Sequence, residues 1–295
     1  MKTIVGTWRG TCAMIRANAG TSPGANTQMG HIPVEYARKM ITVLLAVVIA
    51  IGMISCGSQE ESSQTASPDA AAANSAGTIV DAATAGSVKG LVKLEGTAPR
   101  MRTMNMNAVP NCAKQHSAPA MQEDVVVGDN NELQNVVVYL QGDFSQYSFE
   151  MPTTPTQIEQ KGCVYIPHVV AVRAGAPVQF LSSDDTTHNI HPVPRNNREW
   201  NESQASRGAP IEQSFAREEV AIPVKCNLHP WMRVYVAVLN HPYFQVTDED
   251  GSFELRNVPP GTYTLAAWHE YYGSKTQQIT VNPKQEQSLV ITMAR

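Results

Sequence analysis

From residue 85 to the C-terminus, apolar side chains come in short runs at 88–92, 124–127, 135–140, 169–172, 178–181, 234–238, 253–255, 262–267, 277–281 and 288–293. Within the runs apolar and polar positions alternate or β-branched residues follow one another, and clusters of Gly, Pro, Asn and Asp separate them, as in short β-strands joined by turns. No stretch in this region sustains the helical period of about 3.6 residues. The pattern predicts an all-β chain of sandwiches joined edge to edge or end to end. Upstream the pattern changes. Residues 40–54 are nearly all apolar, follow Arg38-Lys39 and end at Ser55-Cys56, which is the layout of an export signal. The run is short for a membrane span, which needs about 20 residues. Residues 1–28 show no periodicity, which leaves Met29 as an alternative start. Residues 57–84 are Ser, Ala, Thr, Gln and Gly with almost no large apolar side chains, so they read as a disordered tether.

A chain of 295 residues with 42% hydrophobic and 16% charged side chains holds one large or two modest globular domains. Its formal charge of -4, with no Lys/Arg cluster, argues against nucleic acid and against a polybasic membrane contact. Protein partners are expected instead.

The chemistry concentrates in Cys226-Asn227-Leu228-His229-Pro230-Trp231-Met232, which sets a thiolate, an imidazole and a thioether in one short loop. Thr187-His188-Asn189-Ile190-His191 offers a second imidazole upstream. Two His and one Cys with a weak axial Met form the donor set of a blue-copper electron-transfer site. The loop is too short for a zinc finger and lacks the Cys-x-x-Cys-His of a c-type haem site. His191 competes with His188, but their odd spacing puts them on opposite faces of a strand.

These residues resemble the cupredoxins, with the compact Cys-x2-His-x2-Met loop most similar to amicyanin. Tyr165-Ile166-Pro167-His168-Val169-Val170-Ala171-Val172, then Arg173-Ala174-Gly175-Ala176-Pro177-Val178-Gln179-Phe180 and Ser183-Asp184-Asp185, are similar to that family's strand, glycine turn, strand and acidic turn. The resemblance covers about residues 158–240. It implies a type 1 copper centre cycling Cu(II)/Cu(I), with His188, Cys226, His229 and Met232 as ligands. It also implies that Asn189 bonds across to the Cys loop and fixes it, and His229 is expected near the surface as the electron exit.

Two further resemblances frame this region. Met53-Ile54-Ser55-Cys56 resembles a bacterial lipobox, which implies lipidation of Cys56. Val246-Thr247-Asp248-Glu249-Asp250-Gly251-Ser252-Phe253-Glu254-Leu255 and Asn257-Val258-Pro259-Pro260-Gly261-Thr262-Tyr263-Thr264-Leu265 resemble the carboxypeptidase regulatory-like, transthyretin-like sandwich, as does the opening strand Gly86-Ser87-Val88-Lys89-Gly90-Leu91-Val92. Asp250-Gly251 reads as a hairpin turn and Pro259-Pro260-Gly261 as a rigid turn between strands. The expected fold is therefore all-β: a cupredoxin Greek-key sandwich plus a second small transthyretin-like sandwich. The expected division is a leader and lipoprotein-type signal over 1–56, the tether over 57–84, a regulatory-like sandwich from 85–142 with 242–295, and the copper domain at 143–241 nested inside it. Two consecutive domains, with 85–142 supplying early strands of the copper domain, are the alternative.

Of the five cysteines, Cys12 lies in the leader, Cys56 is assigned to lipid and Cys226 to metal, which leaves Cys112 and Cys163. In an oxidising exported compartment a leftover pair forms a disulfide. A second metal site with the nearby His116 and His168 is the alternative. His241 and His269 read as hydrogen-bonded structural residues. No catalytic triad order or carboxylate pair stands out, so no catalytic residue and no enzyme activity are expected. The expected protein works in the periplasm or at the cell surface, tethered to the membrane by its N-terminal lipid alone. It carries single electrons between redox proteins such as a c-type cytochrome or a dehydrogenase. The alternatives are a copper carrier or storage protein without electron transfer, and a surface binding module built on the regulatory-like sandwich.

Overall fold

The computed structural model describes residues 77–295. The leader and signal expected over 1–56, the lipidation expected at Cys56 and most of the expected tether lie outside the described residues. The described end of that tether is ordered, contrary to expectation. Thr78 donates its N–H to the Gln146 carbonyl at 2.8 Å and accepts from Ser148 at 3.0 Å, so backbone pairing holds a segment with few apolar side chains.

Apart from one helical turn, α1 (Pro110–Ala113), the regular structure is β, arranged in four sheets. A three-stranded sheet has the order β13 (Ser252–Val258), β1 (Gly86–Leu94), β16 (Glu286–Met293), with β1 antiparallel to β13 and parallel to β16. It faces a four-stranded sheet of β12 (Phe244–Val246), β2 (Val137–Gln141), β14 (Gly261–His269) and β15 (Gly273–Val281). Val88 and Val92 of β1, Leu140 of β2, Leu255 of β13, Leu265 of β14 and Ile291 of β16 meet in one core. The second sandwich pairs the sheet β5 (Val169–Arg173), β11 (Arg233–Leu239), β10 (Glu219–Lys225), β7 (His188–Pro192), β8 (Glu202–Gln204) with the sheet β4 (Val164–Ile166), β3 (Thr156–Lys161), β6 (Pro177–Ser182), β9 (Ile211–Ser214). Ile158, Val172, Phe180, Ile190, Val224 and Val236 fill its core. The chain thus leaves the first sandwich after β2, builds the second, and returns to the first at β12.

The sandwiches stack face to face, not edge to edge or end to end as the pattern was read. The reason lies in strands that are apolar on both sides. In β2, Val138 and Leu140 enter the first core while Val137 and Tyr139 point the other way; in β11, Val234, Val236 and Val238 enter the second core while Ala237 and Leu239 face out of it. Side chains alternate across a strand, so an unbroken apolar run must be covered on both faces. Here the outward sets meet one another, with Val169 and Ala266, in a third buried cluster between the two inner sheets. Leu265 reaches the first core at 1% exposure, and Leu265→Ala is expected to lower stability by about 2–5 kcal/mol through lost transfer energy and the cavity left behind. A urea unfolding midpoint checks it.

Three local expectations differ from the structure. The run 124–127 is not a strand; among the described residues its ladder pairing is limited to an isolated bridge from Val127 to Leu133. The Asp250-Gly251 turn has Gly251 at φ 70°, but it crosses between sheets instead of closing a hairpin. The Gly251 carbonyl is taken by the Val92 N–H at 2.8 Å, and a Cβ at Gly251 would meet the Val92 oxygen at 2.7 Å. Finally, part of the long β1–β2 connection packs on the second sandwich, since Met106 and Cys112 are buried in that core, whereas 85–142 was assigned whole to the first.

Candidate metal centre

The seven residues Cys226 to Met232 connect β10 to β11, and the last cross-strand pair, Lys225 with Arg233, closes the loop at its base. β7 lies on the other side of β10 and brings His188 to the same end of the sheet. His188, Cys226 and His229 are all buried, and their ligand atoms lie within 4.8 Å of one another. The two Nδ1 atoms of His188 and His229 face each other at 3.0 Å, and Cys226 Sγ lies 3.5 Å from His229 Nδ1. Met232 is buried at the foot of the loop, with its N–H bonded to the His229 carbonyl at 2.9 Å.

The surroundings hold these donors in place. Asn189 Oδ1 accepts the Asn227 N–H at 2.6 Å, and the Asn189 N–H points at Cys226 Sγ at 3.5 Å, which ties β7 to the loop. The Tyr165 hydroxyl donates to the Asn189 carbonyl at 3.0 Å. His191 faces away from the set and bonds Asn227 Oδ1 at 3.1 Å and Glu199 at 2.8 Å. His229 is covered, at 3% exposure, although it was expected near the surface. Its neighbour Leu228 is an exposed large apolar side chain of the loop, at 54%.

Asp184 is the residue that sequence reasoning missed. It is fully buried, and its Oδ2 lies 2.8 Å from His188 Nε2, which leaves Nδ1 of the same ring toward His229. A carboxylate on the far nitrogen of a ligating His fixes both tautomer and ring orientation. The available signal was a carboxylate four residues before His188, in a turn read only as acidic. Burial opposes the charge on His188, but Asp184 and Cys226 outweigh it and push its pKa up to about 8. Burial and the neighbouring His188 hold His229 below its ordinary value. Burial disfavours the Cys226 thiolate as well, yet the hydrogen bond from His188 and nearby backbone N–H groups lower its pKa overall. A metal takes neutral imidazole and thiolate donors, so its binding here would release the proton that Asp184 and Cys226 favour on His188. Two imidazoles, one thiolate and a neighbouring thioether fit a soft or borderline ion such as copper.

Cys112 and Cys163 form a disulfide. The two histidines considered with them go elsewhere: His116 Nε2 lies 2.7 Å from the Gly162 carbonyl, and His168 pairs with Glu270.

Residues 230–294 match the family model described as Carboxypeptidase regulatory-like domain. The C-terminal segment is similar to that family. The match begins inside the loop before β11, and its last five strands belong to the first sandwich. Among solved structures the chain is similar to a copper-containing nitrite reductase from Thermus scotoductus SA-01, at 16% identity over 31% of this chain and TM-score 0.28. The chain spans 24% of that enzyme's length. It is also similar to a purple cupredoxin from Nitrosopumilus maritimus, at 24% identity over 28% of this chain and 99% of that one, with TM-score 0.25. The M98A mutant of amicyanin in its Cu(I) form matches at 18% identity over 30% of this chain and 87% of that one, with TM-score 0.27. A comparison with curated proteins returned no match.

Proposed function

We propose that the protein is a type 1 copper carrier of single electrons, exported and held at a membrane by lipid on Cys56, serving redox partners such as a c-type cytochrome or a dehydrogenase. The observation that carries this reading is the buried set of two imidazoles and one thiol converging within 4.8 Å. Copper bound there supplies a one-electron couple. The residues of the chain supply rigidity. Asp184 orients His188, and Asn189 clamps the loop through the Asn227 N–H. The antiparallel pairing of β10 with β11 fixes the loop ends. Donors held this way move little between oxidation states, which favours fast electron transfer. Leu228, exposed beside His229, offers an apolar contact for brief docking of the small kind that transient redox encounters use.

Metal counting, a visible spectrum and voltammetry on the purified protein test the proposal. The expected result is one copper per chain, an intense thiolate-to-copper absorption band and a reversible wave, with the band absent in Cys226→Ser. A colourless, redox-silent copper complex would overturn it. Tight Cu(I) binding without a reversible wave would assign the carrier or storage role instead.

A further inference from the structure

The disulfide adjoins the metal centre. Cys112 Sγ, Cys163 Sγ and a ring nitrogen of His229 lie within 4.8 Å of one another, and Cys163 Sγ lies equally close to Asp184 and His188. All of these residues are buried. We infer that reduction of Cys112–Cys163 opens a second, thiol-gated site for Cu(I), built from the two released sulfurs and His229.

The chemistry follows from the donors. While bonded to each other the sulfurs are poor ligands. A dithiol reductant supplies two electrons and two protons, the S–S bond breaks, two Cys thiols form, and the reductant leaves as its own disulfide. Cu(I) then displaces the two thiol protons and takes two soft thiolates and one imidazole, a set suited to that ion.

Contacts that do not involve the S–S bond keep both cysteines where they are. Asp184 accepts the Gly162 N–H at 2.6 Å and the Cys163 N–H at 2.8 Å, and Trp231 Nε1 donates to the Cys163 carbonyl at 3.0 Å. These bonds hold Cys163 at φ 55°, a left-handed conformation that a non-glycine residue keeps only where the surroundings impose it. On the other side, His116 reaches the Gly162 carbonyl and keeps the α1 segment carrying Cys112 against the same turn. The sulfurs therefore stay near His229 after reduction. Because His229 belongs to both donor sets, the two sets exchange one ion and do not hold two.

The inference goes beyond the electron-carrier reading and needs neither Cys226 nor His188, so its test uses the full chain carrying Cys226→Ser. Anaerobic titration with Cu(I) against a coloured Cu(I) chelator, before and after phosphine reduction, reads the effect. The expected result is one additional Cu(I) per chain in the reduced variant, lost when Cys112→Ser or His229→Ala is added. Cys12→Ser and Cys56→Ser are carried in every sample, so neither thiol can take up Cu(I). No additional uptake on reduction, or additional uptake that survives Cys112→Ser, would overturn the inference. If Cys226→Ser does not fold by circular dichroism, X-ray absorption of the Cu(I)-loaded protein with Cys226 intact decides. The number of short copper–sulfur distances is expected to rise from one to two on reduction, and an unchanged number refutes the site. A wild-type protein without the visible band defeats the electron-carrier reading and leaves this result untouched.

Discussion

Asp184→Ala is expected to destabilise the metal-free protein by about 3–5 kcal/mol, the range for removing one partner of a buried charged pair. The carboxylate is fully buried and has three partners: His188 Nε2 at 2.8 Å, the Gly162 N–H at 2.6 Å and the Cys163 N–H at 2.8 Å. Burial alone would raise its pKa, but His188 and the two N–H groups hold the carboxyl below its ordinary value. Alanine leaves two buried N–H donors without acceptors in a left-handed turn, and each orphaned donor costs about 1–3 kcal/mol. The same substitution releases His188. Its raised pKa means that its contribution is fully present below the ordinary value of 6.5 and is lost as pH rises through about 8. Asp184→Asn, which keeps the side-chain size, should therefore drop the His188 titration toward 6.5 and remove the stability loss between those pH values. Urea unfolding at pH 6 and pH 9, with the His188 titration followed by NMR in the metal-free protein, checks both parts. An unshifted His188 in Asp184→Asn would show that the carboxylate does not set its protonation.

Acid is expected to weaken the first sandwich well above the range where carboxylates titrate. His241 and His269 are buried, at 2% and 1% exposure, and burial pushes each pKa from 6.5 down to about 4. In both rings Nδ1 accepts a backbone N–H, from Tyr243 at 3.1 Å and from Tyr271 at 3.0 Å, so protonation there breaks a bond. His269 Nε2 has no hydrogen-bond partner among the described residues. The unfolded chain binds a proton at each His below pH 6.5 while the folded chain does not until about 4. Stability therefore falls as pH is lowered across that window, by up to about 3 kcal/mol per histidine. His229, also lowered, acts in the same direction, whereas the contribution of His188 is constant there because its pKa is raised. Denaturant unfolding of the metal-free protein at pH 7, 5.5 and 4 should show the decline. The His241→Gln, His269→Gln double variant should flatten most of it. A level profile in the unsubstituted protein would contradict the buried, neutral state of these rings.

Much of the protein is written in local pattern. Period-two runs and turn clusters announce the β architecture, and the order His188, Cys226, His229 with Met232 announces the centre, because three of those residues share one loop and need no long-range contact to be neighbours. Asn189 was legible through the family resemblance, which implies that the residue after His188 bonds across to the Cys loop. The stacking of the sandwiches was present in the unbroken apolar runs of β2 and β11, yet it was read as edge or end joining because periodicity says that a face is buried without saying against what. Strand 124–127 failed differently, since an apolar run does not by itself supply the ladder pairing that makes a strand.

Residue order and side-chain period, by themselves, determined the all-β fold and which side chains can meet at one loop. Tertiary packing alone decided that Asp184 stands behind His188 on the Gly162-Cys163 turn, and that a disulfide spanning 51 residues adjoins His229. Those neighbours lie on separate elements, and what joins them is backbone N–H groups and sulfurs that must be satisfied or bonded once the sheets bury them, a demand that arises only when the sheets have come together.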